Sequence, residues 1–493
     1  MALLGKIREK SIFLIIVIGL ALFAFVISGA LGNGNSDDTS NDPIGIVNGK
    51  EIPLENFRFM VEQTERENAK VKNYKAAYEP WSLVRNECPS INSAIYIYGE
   101  RILKERLKNS PDNEKSQREK DLLNLYDDWV KYFPSKKGQN NIGNILSAKA
   151  QSMIDFKIGG NIEIYSIFDD AFKRDLKSFS NPKRLYNYFK VLYEIYKSKN
   201  GDITPEKLFE KYEDVSEKFE VESVKLAKSL DRILNKEESG EALTTRDLKN
   251  KRIYGVNSNA ISIYLKNLDA IISKESSCEN LIPLYERNFD QNRQNIVWLK
   301  RAASRMDAKD CSDSQLFVKL VEALHSIQPS ADSAYYLGLL NDKKGDNKQA
   351  LSYYEESIEL ENDPYKKAKT LYKIALKFKQ RGSKRSARSY AQKALKFQPS
   401  LGKAYLMIAN LYATSANDCG QSQFEKRAVY WLAANTAAKA ARVDPSIKKA
   451  ALKTAAAFNG RAPSKTDIFT DGMEGKVIQF SCWINDKVKV PKL

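Results

Sequence analysis

The sequence predicts a mainly α fold: a solenoid of stacked helix pairs, with one N-terminal transmembrane helix and small β-hairpins near residues 44–53 and 477–490. Three observations predict it. Small and aromatic residues recur with a period of 34 to 37 residues between positions 331 and 460. Amphipathic helical texture extends upstream with few breakers, 15 Pro and 23 Gly in 493 residues. An uncharged run from Ile12 to Leu31 supplies about the 20 residues that an α-helix needs to cross a hydrocarbon layer. The length also exceeds what one core serves, so several units or an elongated array are expected.

Residues 1–31 read as a cytoplasmic tip and membrane anchor. Lys6, Arg8 and Lys10 precede the apolar run while Asp37, Asp38 and Asp42 follow it, which by the positive-inside bias exports everything after residue 31. Ser28-Gly29-Ala30 offers the alternative of a cleaved signal peptide. The location expected is a single-pass bacterial inner-membrane protein with a periplasmic body, or a soluble periplasmic one if cleavage occurs. Residues 32–43 are a polar tether. Ile44-Gly45-Ile46-Val47 and Lys50-Glu51-Ile52 flank an Asn48-Gly49 turn, the combination that favours a hairpin. Leu54, Phe57 and Val61 then fall at helical spacing, so 44–70 reads as a hairpin-helix segment.

Residues 74–330 form an irregular helical-repeat region. Ile95–Lys108 and Lys115–Phe133 read as a helical hairpin, followed by amphipathic helices over Tyr186–Lys197, Pro205–Asn235, Ser258–Ile272 and Cys278–Met306. Residues 331–460 hold three repeats with tetratricopeptide (TPR) spacing. Gly338 to Ala375, Gly345 to Gly382 and Ala350 to Ala387 are each 37 residues apart, and Ala375 to Ala409 is 34. The third repeat carries a 12-residue insertion around Thr414–Lys426, which places its second helix late, near Ala433. Gly338, Ala350, Ala375, Ala387, Ala409 and Ala433 are the expected repeat-packing residues, small so that paired helices approach closely. Beyond Pro463 the pattern turns to strand alternation over Val477–Ile484 and Val488–Val490, so 463–493 reads as a β-hairpin cap on the repeats.

A net charge of +17 permits acidic protein, lipid or nucleic-acid partners. The basic residues are interspersed with Glu and Asp, as between Lys207 and Lys228, which describes solvated helix surface rather than a nucleic-acid patch. His325 is the only histidine, so two-histidine metal or catalytic sites are excluded within one chain. Cys88, Cys278, Cys311, Cys419 and Cys482 lie too far apart for a CxxC site. Cys278 and Cys311, 33 residues apart, are the disulfide candidate; the alternative is two thiols too distant to bridge. No metal or cofactor is expected, and no Glu/Asp spacing indicates a glycosidase-like pair.

The opening MALLGKIREKSIFLIIVIGLALFAFVISG with IGIVNGKEIPLENFRFMVEQ, residues 1 to about 68, resembles the anchor and first segment of SurA/PpiD-type periplasmic folding factors. That resemblance implies anchoring and export. It does not imply prolyl isomerase activity, because the family's parvulin domain uses a pair of buried histidines. Residues 74–493, with CENLIPLYERNF, AYYLGLLNDKKGD, CGQSQFEKRAVYWLAA and FSCWIND, are similar to exported TPR proteins of Bacteroidetes-type bacteria. The function expected is a non-enzymatic, membrane-anchored TPR scaffold for protein–protein interaction in the periplasm. The alternative is a chaperone-like holdase for exported chains. Partners would be proteins or peptides of the cell envelope, with no small-molecule substrate. Asn341, Lys344, Lys377, Arg381 and Tyr412, on the first helices of the repeats, are the peptide-groove candidates.

Overall fold

The computed structural model describes residues 73–199 and 201–493, together with the backbone of 43–47 and 50–53. It divides into two compact units, with the boundary between Tyr132 and Phe133. The proposed anchor at 12–31, the tether before Pro43, the Asn48-Gly49 turn residues and the helix expected after Pro53 lie outside the described residues. Strands β1 (Pro43–Val47) and β2 (Lys50–Pro53) pair antiparallel, with Val47 opposite Lys50 and an irregularity between Pro43 and Gly45. The location expected from sequence is corrected. No helix among the described residues is long and apolar enough to cross a membrane, and the single-pass inner-membrane placement is withdrawn with its periplasmic body.

In the first unit, α1 (Tyr74–Glu87), α2 (Ala94–Lys108) and α3 (Asp112–Tyr132) pack around Trp81, which is 1% exposed. Its indole Nε1 donates to the Ile95 carbonyl at 2.7 Å. Gly99 makes room for the ring, since a β-carbon there would stand 2.5 Å from it. Arg85 ties α1 to α3 through Asp121 at 2.6 Å and Asp128 at 3.2 Å.

The second unit opens with a tight hairpin, β3 (Ser135–Lys136) and β4 (Gln139–Asn140), turned by Lys137 and Gly138 at φ +52° and +73°. Two-residue strands carry too little alternation to be read from sequence. Then follow α4 (Ile142–Phe156), α5 (Asn161–Arg174) and α6 (Pro182–Ser198). Next comes a pair of long helices, α7 (Pro205–Glu238) and α8 (Thr245–Ile272), of 34 and 28 residues. Pro205 sits at the first helical position of α7 and the Thr204 side chain accepts from the Lys207 amide. A capping box of Thr244 and Asp247 starts α8 13 residues ahead of the Ser258 start expected from periodicity.

The single helix expected over Cys278–Met306 is two, α9 (Cys278–Asn292) and α10 (Ile296–Ala308). Asn295 breaks the run because its side chain accepts from the Trp298 amide and starts a new helix. Helix α11 (Gln315–Ile327) pairs with α10. The regular repeats are α12 (Ala331–Lys343) with α13 (Asn347–Leu360), α14 (Pro364–Gln380) with α15 (Lys384–Phe397), and α16 (Gly402–Ala413) with α17 (Gln423–Val443). In the first two pairs the linking glycine, Gly345 or Gly382, adopts φ +82° or +77°. The following amide returns to the carbonyl of Asn341 or Phe378, closing the helix end as a left-handed cap. This is why those glycines share the repeat spacing.

Gly338, Ala350, Ala375, Ala387, Ala409 and Ala433 are all buried. At Gly338 an added β-carbon would meet the Tyr354 ring at 2.6 Å, so the second helix seats directly on the first. Helices α18 (Lys448–Asn459) and α19 (Lys465–Thr470) follow, then β5 (Val477–Phe480) paired with β6 (Asp486–Lys489). The loop of this hairpin lies on the insertion of the third repeat. Cys482 is bonded to Cys419, Trp483 Nε1 donates to Ser415 Oγ at 3.1 Å, and the Tyr412 and Trp483 rings pack together. A second disulfide joins Cys278 to Cys311, with Cα atoms 5.5 Å apart, and Cys88 is the free thiol.

Candidate partner-binding face of the repeats

Among the first helices of successive pairs, α10, α12, α14 and α16, a basic face is built by α10 and α14. Lys300, Arg301 and Arg305 come from α10, and Lys369, Lys373 and Lys377 from α14. A spacing of four residues puts Arg301 with Arg305, and Lys369 with Lys373 and Lys377, on one side of each helix. Asp307 of α10 approaches Lys373 at 3.9 Å and Lys377 at 4.0 Å. Burial lowers the Lys373 ammonium below the ordinary lysine value, against the pull of Asp307. Lys300 lies 2.6 Å from Asp332 on α12; burial opposes its charge, but Asp332 with Glu217 and Glu220 holds it above the ordinary value.

The long helix α7 lies along this face, and its contacts follow the order of the repeats. Glu213 receives Arg305 of α10, whose guanidinium also stacks over Tyr212 at 3.9 Å. Glu217 is held by Arg301 through two bonds of 2.9 Å, with Asp214 at 3.0 Å from the same group. Glu220 pairs with Lys369 of α14 at 2.8 Å. Lys228 faces Asp363 at the start of α14 at 3.5 Å. Asp231 accepts from the Tyr365 hydroxyl at 2.8 Å and from the Ser400 amide, just before α16, at 2.7 Å. Leu230 and Leu234 pack on Val443 and Tyr405, and Glu238 approaches Lys439 of α17 at 3.7 Å.

Two carboxylates here are taken out of water. Burial pushes Glu213 above the usual carboxylate range while Arg305 opposes the shift, and burial likewise raises Asp231 against its Ser400 and Tyr365 hydrogen bonds. Each is 2.7–2.8 Å from a donor, so the burial is compensated by hydrogen bonding.

The residues singled out from sequence are scattered relative to this arrangement. Lys377 belongs to it. Arg381 is committed sideways, to Asp342 and to Asn347 Oδ1 at 2.9 Å. Asn341 donates back to the Leu337 carbonyl of its own helix at 2.9 Å, and Lys344 is exposed at the end of α12. Tyr412 as a groove contact is corrected: it is 3% exposed, covered by Trp483 and Arg388. His325 Nδ1 is hydrogen-bonded to Ser333 Oγ at 3.0 Å.

Sequence reading missed α7 as the occupant of this face. The signal was present in its length and in the stripe Glu213, Glu217, Glu220, Lys228, Asp231 and Glu238, which keeps to helical spacing. In the first unit, a cleft of about 560 Å³ is lined by Tyr78, Arg85, Arg106, Arg118, Asp121 and Asp128. Arg85 and Arg118 are already paired with acids there, and Arg106 stacks on Tyr78.

Comparison with known proteins follows the same division. Residues 4–80 match the model of the SurA-like N-terminal domain. Photosystem I assembly protein Ycf3 of Cyanophora paradoxa is 31% identical over 107 residues, 20% of this chain and 62% of the relative. The protein of the same name from Prochlorococcus marinus is 27% identical over 149 residues, 29% of this chain and 86% of the relative. The chain thus spans less than two thirds of the first of these relatives. Among solved structures, yeast Tom70 aligns over 85% of this chain and 99% of its own at 12% identity and TM-score 0.28. A tetratricopeptide repeat protein from Parabacteroides merdae aligns over 64% and 96% at 10% identity and TM-score 0.22. The repeat architecture itself rests on the helix pairs and glycine caps described above.

Proposed function

We propose that this chain is a non-enzymatic helical-repeat scaffold whose first-helix face binds acidic, helical segments of partner proteins. The observation that carries this reading is the seating of α7. An acidic helix runs along α10, α14 and α16 in register, with Glu213, Glu217 and Glu220 meeting Arg305, Arg301 and Lys369. A face that holds such a helix has the charge and spacing to recognise another of the same kind. The curated relatives are named as assembly proteins, which supports a role in bringing other proteins together.

The test is co-purification with tagged full-length chain, wild type against the Arg301→Glu, Lys369→Glu double variant. A small set of stoichiometric proteins, lost or reduced at least tenfold in the variant, is expected. Equal recovery by both chains contradicts the reading. The SurA-like match at residues 4–80 favours a second reading, a holder of many unfolded chains. That reading expects a broad spread of bound proteins, indifferent to the two charge reversals.

A further inference from the structure

Helix α7 is fastened by two clusters of different character. Its first part is a core element: Leu208, Phe209, Tyr212, Val215 and Phe219 are buried, with Tyr212 packed edge-on to Phe189 of α6 and bonded to Asp269 of α8. Its last part is held by the Asp231 hydrogen bonds, by Leu230 and Leu234 against Val443, and by Glu238 near Lys439. Between Glu220 and Ser229 no residue is buried. That middle stretch is joined to the repeats by the Glu220–Lys369 and Lys228–Asp363 pairs, both half-exposed and therefore weak. The far end is also held where α8 packs on the turn Pro445–Ile447, with Gly255 against Pro445, where a β-carbon would stand 2.9 Å from the proline ring.

Glu213 to Glu238 covers about 38 Å of helix at 1.5 Å per residue. Over that length α7 contributes acids to bases on α10, α14 and α17, with one pair of reversed sign at Lys228 and Asp363. The latch includes a carboxylate that must be buried, a costly group to dock on without its two donors. These features describe a helix rooted at one end and docked at the other.

We propose that residues 220–238 of α7 occupy in cis a site that takes an amphipathic helix from a partner protein, with acids placed to meet Lys369 and Lys439, so that partner binding requires this segment to be displaced. The proposal rests on the scaffold reading above and adds its regulation. A covalently attached occupant competes at an effective concentration on the order of millimolar, so a free helix binds the closed chain weakly. Partner affinity rises when the latch is weakened, without any new contact being made.

The experiment uses the full-length chain and a fluorescein-labelled synthetic peptide with the sequence of residues 220–238, read by fluorescence anisotropy. Two openings are compared with wild type: Asp231→Ala with Leu234→Ala at the latch, and Gly255→Leu, which wedges against Pro445. Both are expected to bind the peptide at least tenfold more tightly than wild type, and adding Lys369→Glu with Lys439→Glu, the bases that face Glu220 and Glu238, is expected to abolish the gain. Hydrogen exchange is expected to quicken in 224–238 while 208–219 stays protected. If both openings keep native circular dichroism and a cooperative melt yet bind no tighter than wild type, the proposal is overturned. It is equally overturned if the gain survives the charge reversals, because the peptide then sits elsewhere. Failure of the scaffold reading is separate: charge-sensitive co-purification with no effect of opening leaves the scaffold and removes only the closure.

Discussion

Asp231 concentrates the chemistry of the α7 contact in one side chain, 4% exposed, with the Tyr365 hydroxyl and the Ser400 amide as donors. Its pKa is raised by burial, against the Ser400 and Tyr365 hydrogen bonds, so folding disfavours its ionised form relative to the unfolded chain. A raised folded-state pKa contributes stability that is full below the unfolded value and is lost as pH rises through the folded one. Asp231→Asn keeps an acceptor oxygen and removes that dependence. Urea midpoints of wild type minus variant are therefore expected to fall between pH 4 and pH 7; a difference that grows with pH would contradict the assignment. Arg305 is the converse case. It is 5% exposed and pairs with Glu213, which is also largely buried, so Arg305→Ala strands a carboxylate. The expected loss is about 3–5 kcal/mol by urea denaturation, partly recovered by adding Glu213→Gln. Neither role was legible in sequence, because 92 residues separate Glu213 from Arg305 and 134 separate Asp231 from Tyr365. Periodicity reports which face a residue occupies, not which distant face it meets.

At the scale of elements the legibility is uneven for identifiable reasons. The regular pairs α12 to α17 were readable because packing demands small residues at fixed spacing, and Gly345 and Gly382 must adopt positive φ. The boundaries of α8 and α10 were not, since a capping box at Thr244 and an Asn cap at 295 override the apolar pattern on which the expectation rested. The insertion of the third repeat was visible, but its partner was not. Cys419 bonds Cys482 across 63 residues, and only the fold brings the terminal hairpin to Ser415 and Tyr412. Breaking it with Cys419→Ser and Cys482→Ser is expected to cost up to about 4 kcal/mol, from the loop it closes. Hydrogen exchange should quicken over 477–490 and leave α12 to α15 unchanged; uniform loosening would mean the hairpin supports the whole array. The Cys278–Cys311 bridge closes a shorter loop of 33 residues. Its loss, by Cys278→Ser with Cys311→Ser, is expected to cost about 3 kcal/mol and to loosen α9 first.

For the molecule as a whole, the sequence carries two kinds of information that the structure separates. A net charge of +17 says only that acidic partners are welcome. The fold gathers part of that charge onto α10 and α14 and sets an acidic helix of the same chain against it. On the proposed function, partners bind this face and not the second-helix faces or the terminal hairpin. The most direct measurement is in-cell crosslinking of tagged full-length protein followed by mapping of the crosslinked residues on both sides. Crosslinks are expected to concentrate at lysines of α10 and α14, Lys300, Lys369, Lys373 and Lys377 among them, and to reach acidic helical segments of a few proteins. Crosslinks concentrated on α11, α13 and α15, or spread evenly over many unrelated proteins, would contradict the proposed function.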